Sequence, residues 1–310
     1  HVANSNWQTI HNPISENMLI HGDKLKSDDL YQSIDDQYYN RSKQKSKTVS
    51  LRNFHNMYVK YLIIRAASLK QPDTTLLDLA VGKGGDLPKW VQCDLKAVLG
   101  IDIAYDNIHN NNDGACARYI NMNEDHHKKL PICMFIRGDT GKDMESGAFE
   151  IDDKDEEMEK VPGSYMILQT LMGATQAGNQ STDTPFLNKH YALFKEKFDI
   201  CSIQFALHYM FESKEKLHAF LKNVSNYTKT GKYFIGTCYD GKKIYDLLKE
   251  KKSVELYQDN TKIWSIQKKY QDDSKVFLKD DSNSIGYKIS VYQESINQEF
   301  DEYLVNFDYF

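Results

Sequence analysis

Apolar positions along this chain change their period after the first quarter. In LRNFHNMYVKYLIIRAASL, residues Leu51, Phe54, Tyr58, Tyr61, Leu62 and Leu69 recur at helical spacing, which predicts an amphipathic helix stopped by Pro72. Beyond it the apolar runs shorten. TLLDLAV, AVLGIDIA, ICMFIRGD, FDICSIQF and KYFIGTCY are bounded by turn residues, as strands buried on both faces tend to be. Helical patterns lie between them at Asp86 to Val91, Tyr105 to Tyr119, Lys214 to Tyr227 and Lys242 to Lys251. The alternation predicts an α/β fold with a doubly wound, mostly parallel sheet, whose ligands sit outside the carboxyl ends of the strands.

Residues 1–50 are polar and rich in tyrosine, with Arg41, Lys43, Lys45 and Lys47 at every second position, and predict an arm or short helices packed on a core spanning 51–310. Two polar insertions, near 141–162 and 171–185, read as solvated loops. The first holds an acidic run of Asp152, Asp153, Asp155, Glu156, Glu157 and Glu159, which accounts for most of the net charge of −5. Without that run the chain is nearly balanced, so the overall sign does not exclude a nucleic-acid partner. No apolar run approaches the roughly 18 residues of a membrane span. The first residue is His1, which points to a piece of a longer polypeptide. Five cysteines without a CxxC pair suit neither a disulfide framework nor a metal site and predict a reducing, cytoplasmic compartment.

Chemistry concentrates at the predicted strand ends. DLAVGKGGDL sends a strand into Gly82, Gly84 and Gly85 and then a helix, a turn that lets backbone approach a ligand closely. A dinucleotide turn would place a third glycine at the sixth position, where Leu87 stands, which weighs against a nicotinamide cofactor. Asp78, Asp102 and Asp139 end three successive strands. Any one of them could merely cap a turn. Together they suit a ligand with an amino-acid part, a ribose and an adenine, which describes S-adenosyl-L-methionine. A fourth strand ends at Gln204 and passes into His208 and Tyr209, a pair that by chemistry alone is more often packing than recognition.

LRNFHNMYVKYLI, LLDLAVGKGGDLPKW, GIDIA, QFALHYMF and EYLV occur in this order over roughly residues 35 to 305. In these motifs the chain resembles the mRNA cap guanine-N7 methyltransferases, most of all the methyltransferase domains of capping enzymes from large cytoplasmic DNA viruses. Two departures stand out: Val81 replaces a cysteine or similarly small residue, and relatives continue past the position of Phe310. The resemblance implies a fold of the S-adenosylmethionine-dependent, Rossmann-like type and assigns Lys60, Asp78, Gly82, Gly84, Asp102, Asp139 and Gln204 to the cofactor. It assigns Asn56, His208, Tyr209 and Glu302 to the cap guanine. Capped RNA is then the substrate, triphosphatase and guanylyltransferase domains are expected in the same longer polypeptide, and some viral relatives require a stimulatory subunit.

Guanine N7 carries an unprotonated lone pair at neutral pH, so the expected reaction needs positioning and electrostatics rather than a catalytic base or a metal. Guanine also presents a paired N–H edge that one carboxylate accepts bidentately, a role that suits Glu302, although in QEFDEYLV its bland reading is a solvated surface acid. Lys43, Lys45 and Lys47 are candidates for the bridging phosphates, against a plain solvated arm. Rival readings are a methyltransferase for another substrate and a non-catalytic cofactor-binding domain of a capping assembly.

Overall fold

Each of the five apolar runs forms a strand, and the burial explains their composition. The computed structural model describes residues 47–68, 73–124, 129–151, 162–174, 184–271, 282–295 and 298–310. Strands β1 (Thr75–Asp78), β2 (Ala97–Asp102), β3 (Ile132–Arg137), β4 (Phe198–Gln204) and β5 (Thr228–Thr237) lie in the order β3-β2-β1-β4-β5, all parallel. Every residue of β1, β2 and β4 is buried. Alternate residues feed two separate cores: Leu77, Leu99 and Ile203 pack with Leu168, Leu217 and Phe220, whereas Leu76, Val98 and Ile200 pack with Ile64, Leu87 and Trp90. The chain turns back between β1 and β4, and the crevice at such a switch point is where this architecture holds ligands.

The helical stretch before β1 departs from the simple amphipathic expectation. An α-helix α1 (Val49–Asn53) runs into a π-helix (Phe54–Lys60) and then α2 (Tyr61–Ser68). Each π turn holds an extra residue, so the stripe loses phase. Leu51 and Leu62 face solvent while Ile64 and Ala67 are buried. Leu69 lies outside the described residues.

After the glycine turn comes α3 (Leu87–Gln92). The single helix expected from Tyr105 to Tyr119 is two, α4 (Tyr105–His109) and α5 (Ala115–Glu124). Asn110 divides them, its side-chain oxygen accepting from the amides of Asn112 and Asp113 in a local turn that competes with helix.

Both expected insertions need their boundaries moved. Residues 141–151 are not a solvated loop, because Met144 and Phe149 are fully buried and Asn223 bonds Thr140, Lys142 and Met144 from below. Helix α6 (Ser164–Met172) reaches into the second insertion and buries Leu171, ending at Gly173 with φ +74°. The acidic run and residues 175–183 lie outside the described residues. Short α7 (Pro185–Lys189) leads toward β4.

Beyond β4 follow α8 (Leu207–Met210), α9 (Lys214–Tyr227), which precedes β5, and α10 (Gly241–Leu248). The pattern had suggested nothing further, yet a second sheet follows. Strands β6 (Ser253–Gln258), β7 (Thr261–Lys268), β8 (Lys288–Gln293) and β9 (Gln298–Tyr303) pair antiparallel in that order. Backbone bonds from Gly286 to Phe211 and from Gly241 to Val305 fasten this sheet beside α8.

Candidate active site

The glycine turn begins where β1 ends, tied to the sheet by the Val81 amide, which donates to Ile101. Gly82 and Gly84 have φ of +55° and +71°, a region that suits glycine and little else. Asp102, at the tip of β2, is largely buried and accepts from the Gly82 amide at 2.8 Å, the Ala104 amide at 2.9 Å and Asn107 Nδ2 at 2.9 Å. About three of its four acceptor positions are thereby used, leaving room on Oδ2 for one more hydroxyl. A second hydroxyl requires Asn107 to release the other oxygen.

Behind the turn lies a buried charge network. Lys60 from the π-helix reaches both oxygens of Asp86 at 3.3 Å, and Lys89 approaches the same acid at 3.0 Å while donating to the Gly85 carbonyl. Burial pushes the Asp86 carboxyl up, but Lys60 and Lys89 together hold it at about 2. Asp78 feels Lys60 only weakly, with no ion pair of its own among the described residues. Burial, reinforced by the charge of Asp86, raises it to about 7.

The other half of the site forms where α8 meets β9. His208 and Glu302 are both buried, with Nε2 and Oε1 3.7 Å apart, too far for a hydrogen bond. Both ring nitrogens of His208, Oε2 of Glu302 and the hydroxyl of Tyr239 are buried without a hydrogen-bond partner among the described residues. Such clustering is unusual, since buried polar atoms are nearly always satisfied. Burial drives the His208 imidazole down to about 3, so it is neutral, and raises the Glu302 carboxyl to about 7. Tyr239 stacks on His208 at 5.1 Å and 11°. Tyr209 is adjacent at 4.3 Å, its hydroxyl raised to about 12 by burial and by the charges of Glu302 and Asp102. Tyr209 therefore stands between the two halves.

The remaining residues expected from the sequence have the following surroundings. Gln204 ends β4 buried, held by Ser202 and Thr237. Asp139 accepts from the Gly141 amide in its own turn. Asn56 lies in the π-helix one turn from Lys60. Lys47 binds the Gln258 carbonyl and Asp259 at the β6–β7 turn, away from Glu302, and Lys43 and Lys45 lie outside the described residues. Glu302 is not the solvated acid of its bland reading.

Sequence reasoning missed three participants. Phe205 adopts φ +57°, a strained conformation for a bulky residue, and its ring meets His55 at 4.9 Å and the Lys60 ammonium at 5.5 Å. Tyr239 lies two residues past the end of β5, so its place at the tip of a strand was the available signal. Asp86 was visible as the acid after the glycines, but its hold on Lys60 was not.

The parallel sheet, its order, and the glycine turn clasped by an acid on the next strand define the Rossmann-like architecture of S-adenosylmethionine-dependent methyltransferases. Positive-φ glycines, the acid Asp102 and the lysine–carboxylate network fit that group. The family model for the mRNA (guanine-N(7))-methyltransferase domain matches residues 22–159 and 174–310, and the chain belongs to this family. It is 28% identical to a probable mRNA-capping enzyme of Acanthamoeba polyphaga mimivirus over 98% of this chain and 24% of that protein. It is 29% identical to the mRNA cap guanine-N(7) methyltransferase of Saccharomyces cerevisiae over 87% of this chain and 50% of that protein. A third relative, the mRNA cap guanine-N(7) methyltransferase of Eremothecium gossypii, is 30% identical over 74% of this chain and 41% of that protein. The chain thus spans half or less of the length of each of these relatives.

Proposed function

We propose that this chain transfers a methyl group from S-adenosylmethionine to N7 of the guanine that caps mRNA. The supporting observation is the unsatisfied set of buried atoms on His208, Tyr239 and Glu302, which matches the edge of guanine. The ionised Glu302 accepts from the ring N–H and the exocyclic amine, and neutral His208 donates to the carbonyl oxygen. Tyr209 and Tyr239 offer ring faces to the base. Asn56, on the π-helix, is a further candidate to contact the base.

S-adenosylmethionine supplies an electrophilic methyl on a charged sulfur. Gly82 and Gly84 permit close backbone approach, Asp102 takes a ribose hydroxyl, Lys60 meets the carboxylate, and Asp78, Asp139 and Gln204 line the remaining edge. No residue has to remove a proton, because the nucleophile already carries its lone pair. The protein aligns donor and acceptor and keeps them there, which is where its rate advantage originates.

The relation to the mimivirus capping enzyme, of which this chain spans 24%, favours a longer capping polypeptide with triphosphatase and guanylyltransferase domains. Five free thiols agree with a reducing, cytoplasmic setting, and among the described residues no helix is long and apolar enough to cross a membrane. Labelled methyl transfer to guanine-capped RNA, with an adenosine-capped control, tests the reaction. Label recovered as 7-methylguanine only with the guanine cap supports it; transfer to both caps, or to neither, overturns it.

A further inference from the structure

This inference rests on the guanine-cap reading and concerns where the RNA goes after the cap. Glu302 occupies the last turn of a row across the antiparallel sheet: it lies opposite Ile289, and Ile289 lies opposite Lys268. At about 4.8 Å per strand, that row carries the chain roughly 10 Å from the guanine-recognising acid. Next to it the Lys268 amide donates to Lys252 and the Lys269 amide to Lys288, so the ends of four segments converge. The same corner receives Lys249 and Lys251 from the end of α10.

Lys249, Lys251, Lys252 and Lys269 are exposed and join no ion pair among the described residues. Among the neighbouring acids Asp246 pairs with Lys242 and Asp301 with Lys288, and Glu250, exposed between Lys249 and Lys251, is the one acid interspersed with these lysines among the described residues. In a chain of net charge −5, four exposed lysines against one interspersed acid make this corner locally positive among the described residues. Between this corner and the pocket lies a cluster of partly buried tyrosines. Tyr239, stacked on His208, packs against the same cluster as Tyr245, Tyr270 and Tyr287, and the last three rings touch in sequence at 5.9 and 4.9 Å. Exposed lysines lying about 10 Å from a base pocket suit the phosphates of a single-stranded nucleic acid, which need neutralising.

We infer that the nucleotides following the cap leave the site along this corner, with Lys252 and Lys269 holding their phosphates and Lys249 and Lys251 extending the track. The test compares the full chain with Lys252→Gln/Lys269→Gln on two substrates, a capped RNA of about twenty nucleotides and the bare cap dinucleotide. The KM for capped RNA should rise about tenfold, and the slope of log affinity against log salt should fall by about 1.4, at roughly 0.7 per lost single-strand phosphate contact. The KM for the dinucleotide should stay unchanged. An unaltered RNA KM and salt slope, or equal rises on both substrates, overturns the track. If neither substrate is methylated by the unmodified chain, the guanine-cap reading fails, while fluorescence anisotropy of a labelled single-stranded RNA still reads the same slope.

Discussion

Glu302 and His208 share a pocket but respond to pH in opposite ways. Burial raises the carboxyl from an ordinary 4.5 to about 7 and lowers the imidazole to about 3, so near neutrality only the acid titrates. An acid whose folded value is raised contributes stability below its unfolded value and loses it as pH rises through the folded one. Glu302 therefore takes stability away from about pH 4.5 to 7, whereas His208, lowered from 6.5 to about 3, adds it from about pH 3 to 6.5; in a melting series from pH 4.5 to 7, Glu302→Gln should fall less, or rise more, than the unmodified chain. Asp78, also near 7, leaves a residual slope. On the proposed reading guanine needs the charged acid, so the KM for capped RNA should fall from pH 6 to 8 at saturating cofactor. Glu302→Gln should remove that limb, whereas His208→Asn should weaken binding at every pH and leave the limb in place. A limb that vanishes with His208→Asn would contradict the assignment of the proton.

At the scale of elements, the glycine turn is held by backbone conformation. Gly84 has φ +71°, and a Cβ there would meet Leu87 Cδ1 at 3.1 Å. Gly84→Ala should cost about 1–2 kcal/mol, read as a lowered melting temperature, and should raise the KM for the cofactor. Gly231→Ala, at φ +76° with nothing within 4 Å, is the control: comparable backbone strain, no change in cofactor KM. The five parallel strands were legible because burial on both faces leaves unbroken apolar runs such as TLLD and FDICSIQ. The antiparallel sheet was not. In β9, QEFDEY, the first four residues are exposed and Glu302 is the buried one, so no period marks it as a strand. The π-helix was equally hidden, since its extra residue per turn appears in the sequence only as a stripe that fails to stay in phase. Glu302 was found through resemblance, because its burial comes from α8, almost a hundred residues away in the chain.

Across the whole molecule, the two half-sites come from different layers: Asp102 and Gly82 belong to the parallel sheet, and Glu302 to the antiparallel one. Tyr209, which feels the charges of both Asp102 and Glu302, marks the seam between them. The strand-tip residues of the first half were readable because the fold places every carboxyl end at one edge. The second half depends on how two sheets meet, which local pattern does not encode. Separate titrations of S-adenosylmethionine and of cap dinucleotide, on Asp102→Ala and on Glu302→Ala, test this division most directly. Asp102→Ala should weaken the first ligand by tenfold or more and spare the second, with Glu302→Ala doing the reverse, at the roughly 1.5–3 kcal/mol of a lost charged hydrogen bond. Equal loss of both ligands in either variant would contradict a groove divided between the two sheets.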